Sequence, residues 1–311
     1  MSSRKKSKDK GRLTWKRLLG GLLAACLLLL LAVALRQGAL HDLARDFLPE
    51  DLLPKALREQ PGFALHMIDV GQAQALLLTC GDETALVDTG LAGTADKLVN
   101  YLAWHGHGAL DYLFVTHPHS DHCGGAKDVV QKIGTDVLLI PEYLSEEAAL
   151  TTAADWVGST STPIAVTHTG AQYPLGDALI TVLHPAADNG IDDMNDLSLV
   201  LQVDYGGKRF LLTGDIGEAV EAQLPDIGKV DVLQVAHHGS NGSSSQAFLQ
   251  KITPDYALIS CGKNNDYGHP HADVLSRLQA LGAQIYRTDR DGTVVVRVNE
   301  GEISVKIENK K

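Results

Sequence analysis

Basic side chains are scarce in this chain once its first seventeen residues are set aside. Eight of the 27 Lys and Arg and one of the 38 Asp and Glu fall in that segment, leaving 19 basic against 37 acidic residues. So acidic a remainder has no broad basic surface for neutralising phosphates, the source of most non-specific nucleic-acid affinity. Bound divalent ions and a local basic strip remain routes to a phosphodiester, so the charge weakens a nuclease reading without removing it. Cysteine is also sparse. Beyond Cys26 there are Cys80, Cys123 and Cys261, an odd set with no short spacing and no sign of a disulfide framework. Cys123 directly follows His122 and reads as packing or support for its neighbour rather than as a ligand. Residues 61–311 contain no short repeat and no low-complexity tract.

What the chain does have begins with an uncharged apolar run, Leu18 to Leu35, preceded by Arg4, Lys5, Lys6, Lys8, Lys10, Arg12, Lys16 and Arg17. At about 1.5 Å per residue it covers about 27 Å, enough for the hydrocarbon core of a bilayer. Positive residues before it and Asp42, Asp46, Glu50 and Asp51 after it place the N-terminus in the cytoplasm. The expected organisation is a basic tail (1–17), a transmembrane anchor (18–35), a linker (36–60) and a folded domain (61–311) outside the membrane. Leu23-Ala24-Ala25-Cys26 also resembles a lipoprotein signal, although leucines rather than polar residues follow Cys26.

From Phe63 onward the pattern is regular. Strand-like runs are expected at Ala64 to Val70, Ala75 to Thr79, Thr84 to Val87, Tyr112 to Thr116 and Val137 to Ile140, with helices at Thr94 to Trp104 and Ala126 to Ile133. The second series has strands at Ile164 to Thr167, Leu179 to Leu183, Ser198 to Val203, Arg209 to Thr213, Val230 to Val235, Ala257 to Ser260, Ile285 to Arg287, Thr293 to Val298 and Ile303 to Ile307. Its helices are Ser145 to Val157, Ser244 to Ile252 and Ala272 to Leu281. Strand pairs lead each half and helices intervene, which suits an α/β protein with two mixed sheets face to face and helices outside, a four-layer αββα sandwich.

The densest chemistry is Thr116-His117-Pro118-His119-Ser120-Asp121-His122-Cys123-Gly124-Gly125. Imidazoles and a carboxylate are good ligands for zinc, manganese or iron, and this spacing can serve two ions. His117 and His119 can point to one side of an extended turn, while Asp121 and His122 open the next element. The motif follows a strand, where α/β proteins place their sites. Two further strands end in ligand types: Phe210 to Asp215 in Gly-Asp, and Val232 to Ser240 in His237-His238-Gly239-Ser240. His105, His107 and His168 have no such context and read as surface residues.

These motifs resemble the metallo-β-lactamase fold and, more narrowly, the C-terminal hydrolase domain of ComEC-type competence proteins. The narrower likeness also rests on Ile68-Asp69-Val70-Gly71-Gln72, Leu86 to Gly90, Asn195 to Val200 and Lys263 to His271, and it covers about residues 63–300. It implies two divalent ions, zinc or manganese. His117 and His119 would hold one, Asp121 and His122 the other, with Asp215 between them and His237 as the last ligand. The usual third histidine of the first site is missing. Asn195 is the nearest match and His184 the alternative. Asp69, Asp88 and His238 would orient the ligands, with Asp121 or Asp215 handling the proton of the attacking water; His269 and His271, flanking Pro270 before a helix, would either stabilise a leaving oxygen or start that helix. Gly71-Gln72-Ala73-Gln74 departs from the Gly-Gln-Gly-Asp of related proteins.

The function implied is metal-dependent hydrolysis of a phosphodiester, DNA above all, by a membrane-anchored enzyme beside a DNA-uptake machinery. One apolar run is too few for the transporting channel itself. An envelope or small-molecule phosphodiesterase, such as a phosphocholine esterase, and a non-catalytic anchored module are the alternatives. Thioesterase activity is disfavoured by the absence of a His-x-Pro-Gly-His element.

Overall fold

The computed structural model describes residues 62–142, 146–158, 160–185 and 193–308. The expected tail, anchor and linker lie outside these residues. Among the described residues no helix is long and apolar enough to cross a membrane.

The apolar runs pair into two mixed sheets. The first has the order β15 (Glu302–Glu308), β14 (Thr293–Asn299), β1 (Phe63–Met67), β2 (Leu76–Cys80), β3 (Glu83–Val87), β4 (Leu110–Phe114), β5 (Thr135–Pro141) and β6 (Ile164–Thr167). The second runs β13 (Gln284–Arg287), β12 (Tyr256–Ile259), β11 (Val232–Gln234), β10 (Lys208–Leu212), β9 (Val200–Tyr205), β8 (Ala178–His184) and β7 (Gln172–Leu175). In each sheet one half is antiparallel and the other is parallel: β3 to β6 in the first, β10 to β13 in the second.

Parallel strands need crossovers, and these supply the outer helices. Helices α1 (Ala95–Trp104), α2 (Ser120–Cys123), α3 (Ala126–Lys132) and α4 (Glu146–Val157) follow strands of the first sheet. Helices α5 (Glu218–Glu221), α6 (Gln246–Ile252), α7 (Ala272–Ala280) and α8 (Thr288–Asp291) belong to the second. Side-chain alternation then sorts the apolar residues into three cores. Phe63, Leu65, Met67, Phe114, Leu201, Phe210, Leu212 and Val296 meet between the sheets. Leu77, Leu86, Leu98, Leu102, Val129 and Ala153 pack under the helices of the first sheet, and Leu233, Val235, Phe248, Leu249, Val274 and Leu278 under those of the second. Three cores between four layers make the αββα sandwich. Phe63 and Phe210 meet edge to face at 4.9 Å across the sheets, and each such fully buried ring contributes about 1.5–3 kcal/mol.

Two sequence expectations fail. β7 lies where the sequence shows no strand pattern, because Gln172 and Pro174 are polar or ring-locked on an exposed edge strand, where only Leu175 is buried. His105 and His107 are buried, at 5% and 4% exposure, rather than on the surface. They lie just past α1 beneath the outer face of the first sheet, where His66, Tyr101 and Glu308 surround His105. His168 is exposed as expected and lies 3.5 Å from Glu142.

Candidate metal centre

The carboxyl ends of β3, β4, β10, β11 and β12 converge on one pocket between the sheets and bring in Asp88, His117, Asp215, the His237-His238 pair and Ser260. Just beyond β4 the chain turns through His117 and His119 into the single turn of α2, which carries Asp121 and His122. Two neighbouring loops brace it: Gln74 N–H donates to the Asp121 carbonyl at 3.0 Å, and Thr89 gives N–H and hydroxyl bonds to the His122 carbonyl at 2.7 and 2.9 Å. Glycine is required behind the motif, because a Cβ on Gly125 would stand 2.3 Å from the Thr89 carbonyl oxygen.

After β11 the backbone does something that residue type does not forecast. His237 and His238 both adopt left-handed conformations, with φ of 51° and 55°, which cost non-glycine residues about 1–3 kcal/mol each. The turn swings His238 inward. Its ring is 3% exposed, and its Nε2 lies 3.4 Å from Asp121 and 3.6 Å from Asp215. His237 is left with a 31% exposed ring at 3.9 Å from Asp215.

Hydrogen bonding fixes which ring nitrogens face the pocket. His122 Nδ1 donates to Asp88 at 2.7 Å, and His238 Nδ1 to the Ser260 carbonyl at 2.8 Å. His117 Nδ1 lies 3.1 Å from the Thr116 hydroxyl and 3.2 Å from that of Ser198. Those hydroxyls already donate to Asp88 and to the Asn195 carbonyl, so His117 Nδ1 must be the donor. All three imidazoles therefore present Nε2 to the pocket. The Nε2 atoms of His122 and His238 and Oδ1 of Asp215 are buried with no hydrogen-bond partner. Unpartnered polar atoms at such depth are costly unless a ligand satisfies them, and a cation fits this donor set. His117, His122 and Asp215 form one cluster whose ligand atoms all lie within 4.8 Å of one another, and Asp121, His122 and His238 form a second.

The electrostatics agree. Burial disfavours ionised Asp215, yet His122 and His238 overcome it and hold the carboxyl well below its usual range. Asp121, also opposed by burial, is drawn down to about 2 by His238 and His122. Burial would lower His122, but Asp215 and Asp88 raise it well above an ordinary imidazole. His238 is raised likewise, by Asp215 and Asp121 against burial. Burial, then the positive partner His122, pushes His117 well below its ordinary value.

The expected residues fall into place unevenly. His119 Nδ1 lies 3.0 Å from His117 Nε2, outside both clusters. Asn195 is also outside them. Its Oδ1 is buried without a partner, and its carbonyl accepts from Ser198, whose oxygen also takes the Asp215 amide at 3.0 Å. The alternative, His184, is spent on the Asp196 carbonyl at 2.8 Å. Of the histidine pair, His238 enters a cluster, while His237, the ligand the resemblance implies, stands 3.9 Å from Asp215 outside both. Asp88 meets His122 directly. The carboxylate of Asp69 instead takes the Gly71 amide at 3.2 Å and Lys97 at 3.2 Å, bracing the loop after β1. Thr116, Ser198 and Gln234 carry no expected role at the site, although hydroxyl or amide residues at strand ends are a readable signal. Gln234 accepts from the amides of Thr213 and Gly214 at 2.6 and 2.9 Å and so shapes the turn before Asp215. The unusual Gln74 donates to Asp88 at 2.8 Å.

His269 stands at the rim. Gly262 N–H donates to Gln72 Oε1 at 2.8 Å, so the Gln72 amide nitrogen faces His269 Nδ1, at 3.5 Å. That arrangement leaves the His269 proton on Nε2. Burial, with His238 and His237 nearby, takes its pKa down to about 4, so the ring is neutral near pH 7.

A profile of the metallo-beta-lactamase superfamily matches residues 68–263. The chain is 32% identical over 255 residues to ComE operon protein 3 of Bacillus subtilis (strain 168), covering 75% of this chain and 33% of that protein. It is 32% identical over 258 residues to competence protein ComA of Neisseria gonorrhoeae, covering 80% and 34%. The likeness to competence proteins read from the motifs thus extends over most of the chain, which spans about a third of the length of these relatives. Among solved structures, Igni18 from Ignicoccus hospitalis, a metallo hydrolase, superposes with a TM-score of 0.52 at 14% identity, covering 76% of this chain and 100% of that one. At that identity the likeness concerns the fold alone.

Proposed function

The chain belongs to the metallo-beta-lactamase superfamily, and from that premise we propose that it is a metal-dependent phosphodiesterase acting on DNA, anchored to the membrane by residues 18–35. The observation that carries the hydrolase reading is the convergence in one buried pocket of two histidine nitrogens and a carboxylate oxygen that make no hydrogen bond, the nitrogens meeting only the carboxylates of Asp215 and Asp121 at 3.3–3.6 Å. His122 has a single free nitrogen and can serve one ion only. Two ions would therefore divide the donors as His117 and His119 on one side and Asp121, His122 and His238 on the other, with Asp215 facing both and Asn195 supplementing the first. Bound divalent ions would polarise the phosphoryl group, neutralise its charge and acidify water near neutral pH.

The chain's own groups supply the rest. Asp121 is ionised at neutral pH and its side chain is 31% exposed, so it would accept a hydrogen bond from the attacking water and position it, a carboxyl held near 2 being too weak a base to keep the proton. His269, neutral and protonated on Nε2, would donate a hydrogen bond to the leaving oxygen rather than act as a cation. Asp88 and Ser260 hold the rings of His122 and His238, so those nitrogens are aimed before substrate arrives. The competence names of the relatives favour DNA over other phosphodiesters.

The test is hydrolysis of single- and double-stranded DNA with zinc or manganese added, alongside Asp215→Ala. Metal-dependent cleavage that falls to background in the variant is expected; undiminished cleavage there would remove Asp215 from the centre. A second reading, an inert anchored module, draws on the position of His119 and Asn195 outside both clusters. It requires at most one ion per chain and no turnover of bis-p-nitrophenyl phosphate.

A further inference from the structure

The loop after β12 is built to display one aromatic ring. The Asn265 side chain ties it together: its amide nitrogen donates to the carbonyls of Gly262 and His269 at 2.9 and 2.6 Å, and its oxygen accepts from the amides of Tyr267 and His269 at 3.2 and 3.0 Å. Left-handed backbone at Asn264 and Gly268 closes the turn. Tyr267 projects from this cinched loop at 69% exposure, the most exposed large hydrophobic side chain among the described residues. A tyrosine left in water forfeits the burial that normally justifies an aromatic residue.

Its ring is nevertheless oriented. Tyr267 and His269 lie nearly parallel, with centroids 5.6 Å apart and planes 22° apart. His269 and His238 continue the series at 6.2 Å and 26°. The rings form a graded stack from the buried pocket to solvent, and the outermost has a face to offer. Charge in the loop is balanced, Lys263 against Asp266, and the domain is acidic overall, so phosphate neutralisation is not the main affinity this face offers. Stacking is the affinity that remains available to an acidic protein, because every base has a π face and the contact needs no counterion release.

We propose that Tyr267 is a base-stacking residue, its free face receiving a nucleobase of a single-stranded nucleic acid whose scissile phosphate lies at the metal centre. This rests on the phosphodiester reading of that centre. Removal of one base–aromatic contact costs about 1–3 kcal/mol, which corresponds to a roughly 5- to 150-fold weakening.

The experiment is steady-state kinetics of the full-length, metal-supplied protein on oligothymidylate and on an abasic strand of equal length, for wild type, Tyr267→Ala and Tyr267→Phe. The expected result is a KM for oligothymidylate raised within that range in Tyr267→Ala, with kcat moving far less, restoration in Tyr267→Phe, and an abasic strand blind to the substitution. A KM for oligothymidylate within twofold of wild type in Tyr267→Ala overturns the proposal, as does an equal loss on both strands, which would mark a structural role. Wild-type cleavage of bis-p-nitrophenyl phosphate but of neither strand would sink nucleic-acid stacking while leaving phosphodiesterase chemistry intact. Cleavage of none of the three would sink both.

Discussion

At the scale of single residues, the pocket is a set of acids and imidazoles waiting on a positive charge. In the metal-free protein His122 and His238 hold protons above the ordinary imidazole range because Asp215, Asp88 and Asp121 face them. An ion must take the same Nε2 lone pairs, so binding has to expel those protons. Asp121 titrates at about 2 and adds nothing to this competition near neutrality. Metal affinity is therefore expected to keep rising above pH 6.5, with proton release measured by calorimetry in buffers of different ionisation enthalpy; proton-neutral binding at pH 7 would refute the arrangement. Asp88→Asn, which weakens the hold on His122 Nδ1, should lower affinity about 10- to 100-fold. His238→Ala should lose metal where His237→Ala retains it, as read by metal content after gel filtration. The ligand types at three strand ends were legible in the sequence. The order within His237-His238 was not, because left-handed torsion, not residue identity, decides which ring turns inward.

At the scale of elements, the precision of the site depends on how closely loops approach. Long apolar runs such as Leu76–Cys80 and Thr293–Asn299 announce themselves as strands because both faces are covered. One-turn pieces such as α2 carry no periodicity to read, yet α2 holds Asp121 and His122. Its position is set by the near-contact of Gly125 with Thr89, one residue after Asp88 and bonded to the His122 carbonyl. Torsion is not the constraint, since φ at Gly125 is −86° and open to any residue; space is. Gly125→Ala would push the β3 loop away from α2 and loosen both the Asp88–His122 bond and the bracing of the motif. The cost should be about 1–3 kcal/mol of stability, read as a lower denaturant midpoint, together with weaker metal binding. A variant with wild-type midpoint and wild-type affinity would show that the loop yields without disturbing the ligands.

At the scale of the whole molecule, a second titrating cluster lies away from the metal centre and ties three elements of the first sheet together. His66 in β1 has Nδ1 2.7 Å from the Tyr101 hydroxyl of α1, and that hydroxyl donates to Glu308 of β15 at 3.0 Å. In β1 it alternates with Phe63, Leu65 and Met67, which face the core between the sheets, so His66 faces the other way and is buried there; that covering is a tertiary fact that no residue in the strand announces. Burial, then His105, Arg297 and His107, push its pKa well below 6.5, so the folded chain keeps the ring neutral. The unfolded chain, with its ordinary imidazole, binds the extra proton below pH 6.5, and stability must fall as pH drops from that value toward the folded pKa. Guanidinium titrations at pH 7.5 and 5.5, with EDTA present to hold the metal centre constant, should give a smaller pH difference for His66→Leu than for wild type, at equal slope. If the two proteins lose the same stability between those pH values, the acid sensitivity belongs to another histidine, and the neutral ring beneath α1 is not its source.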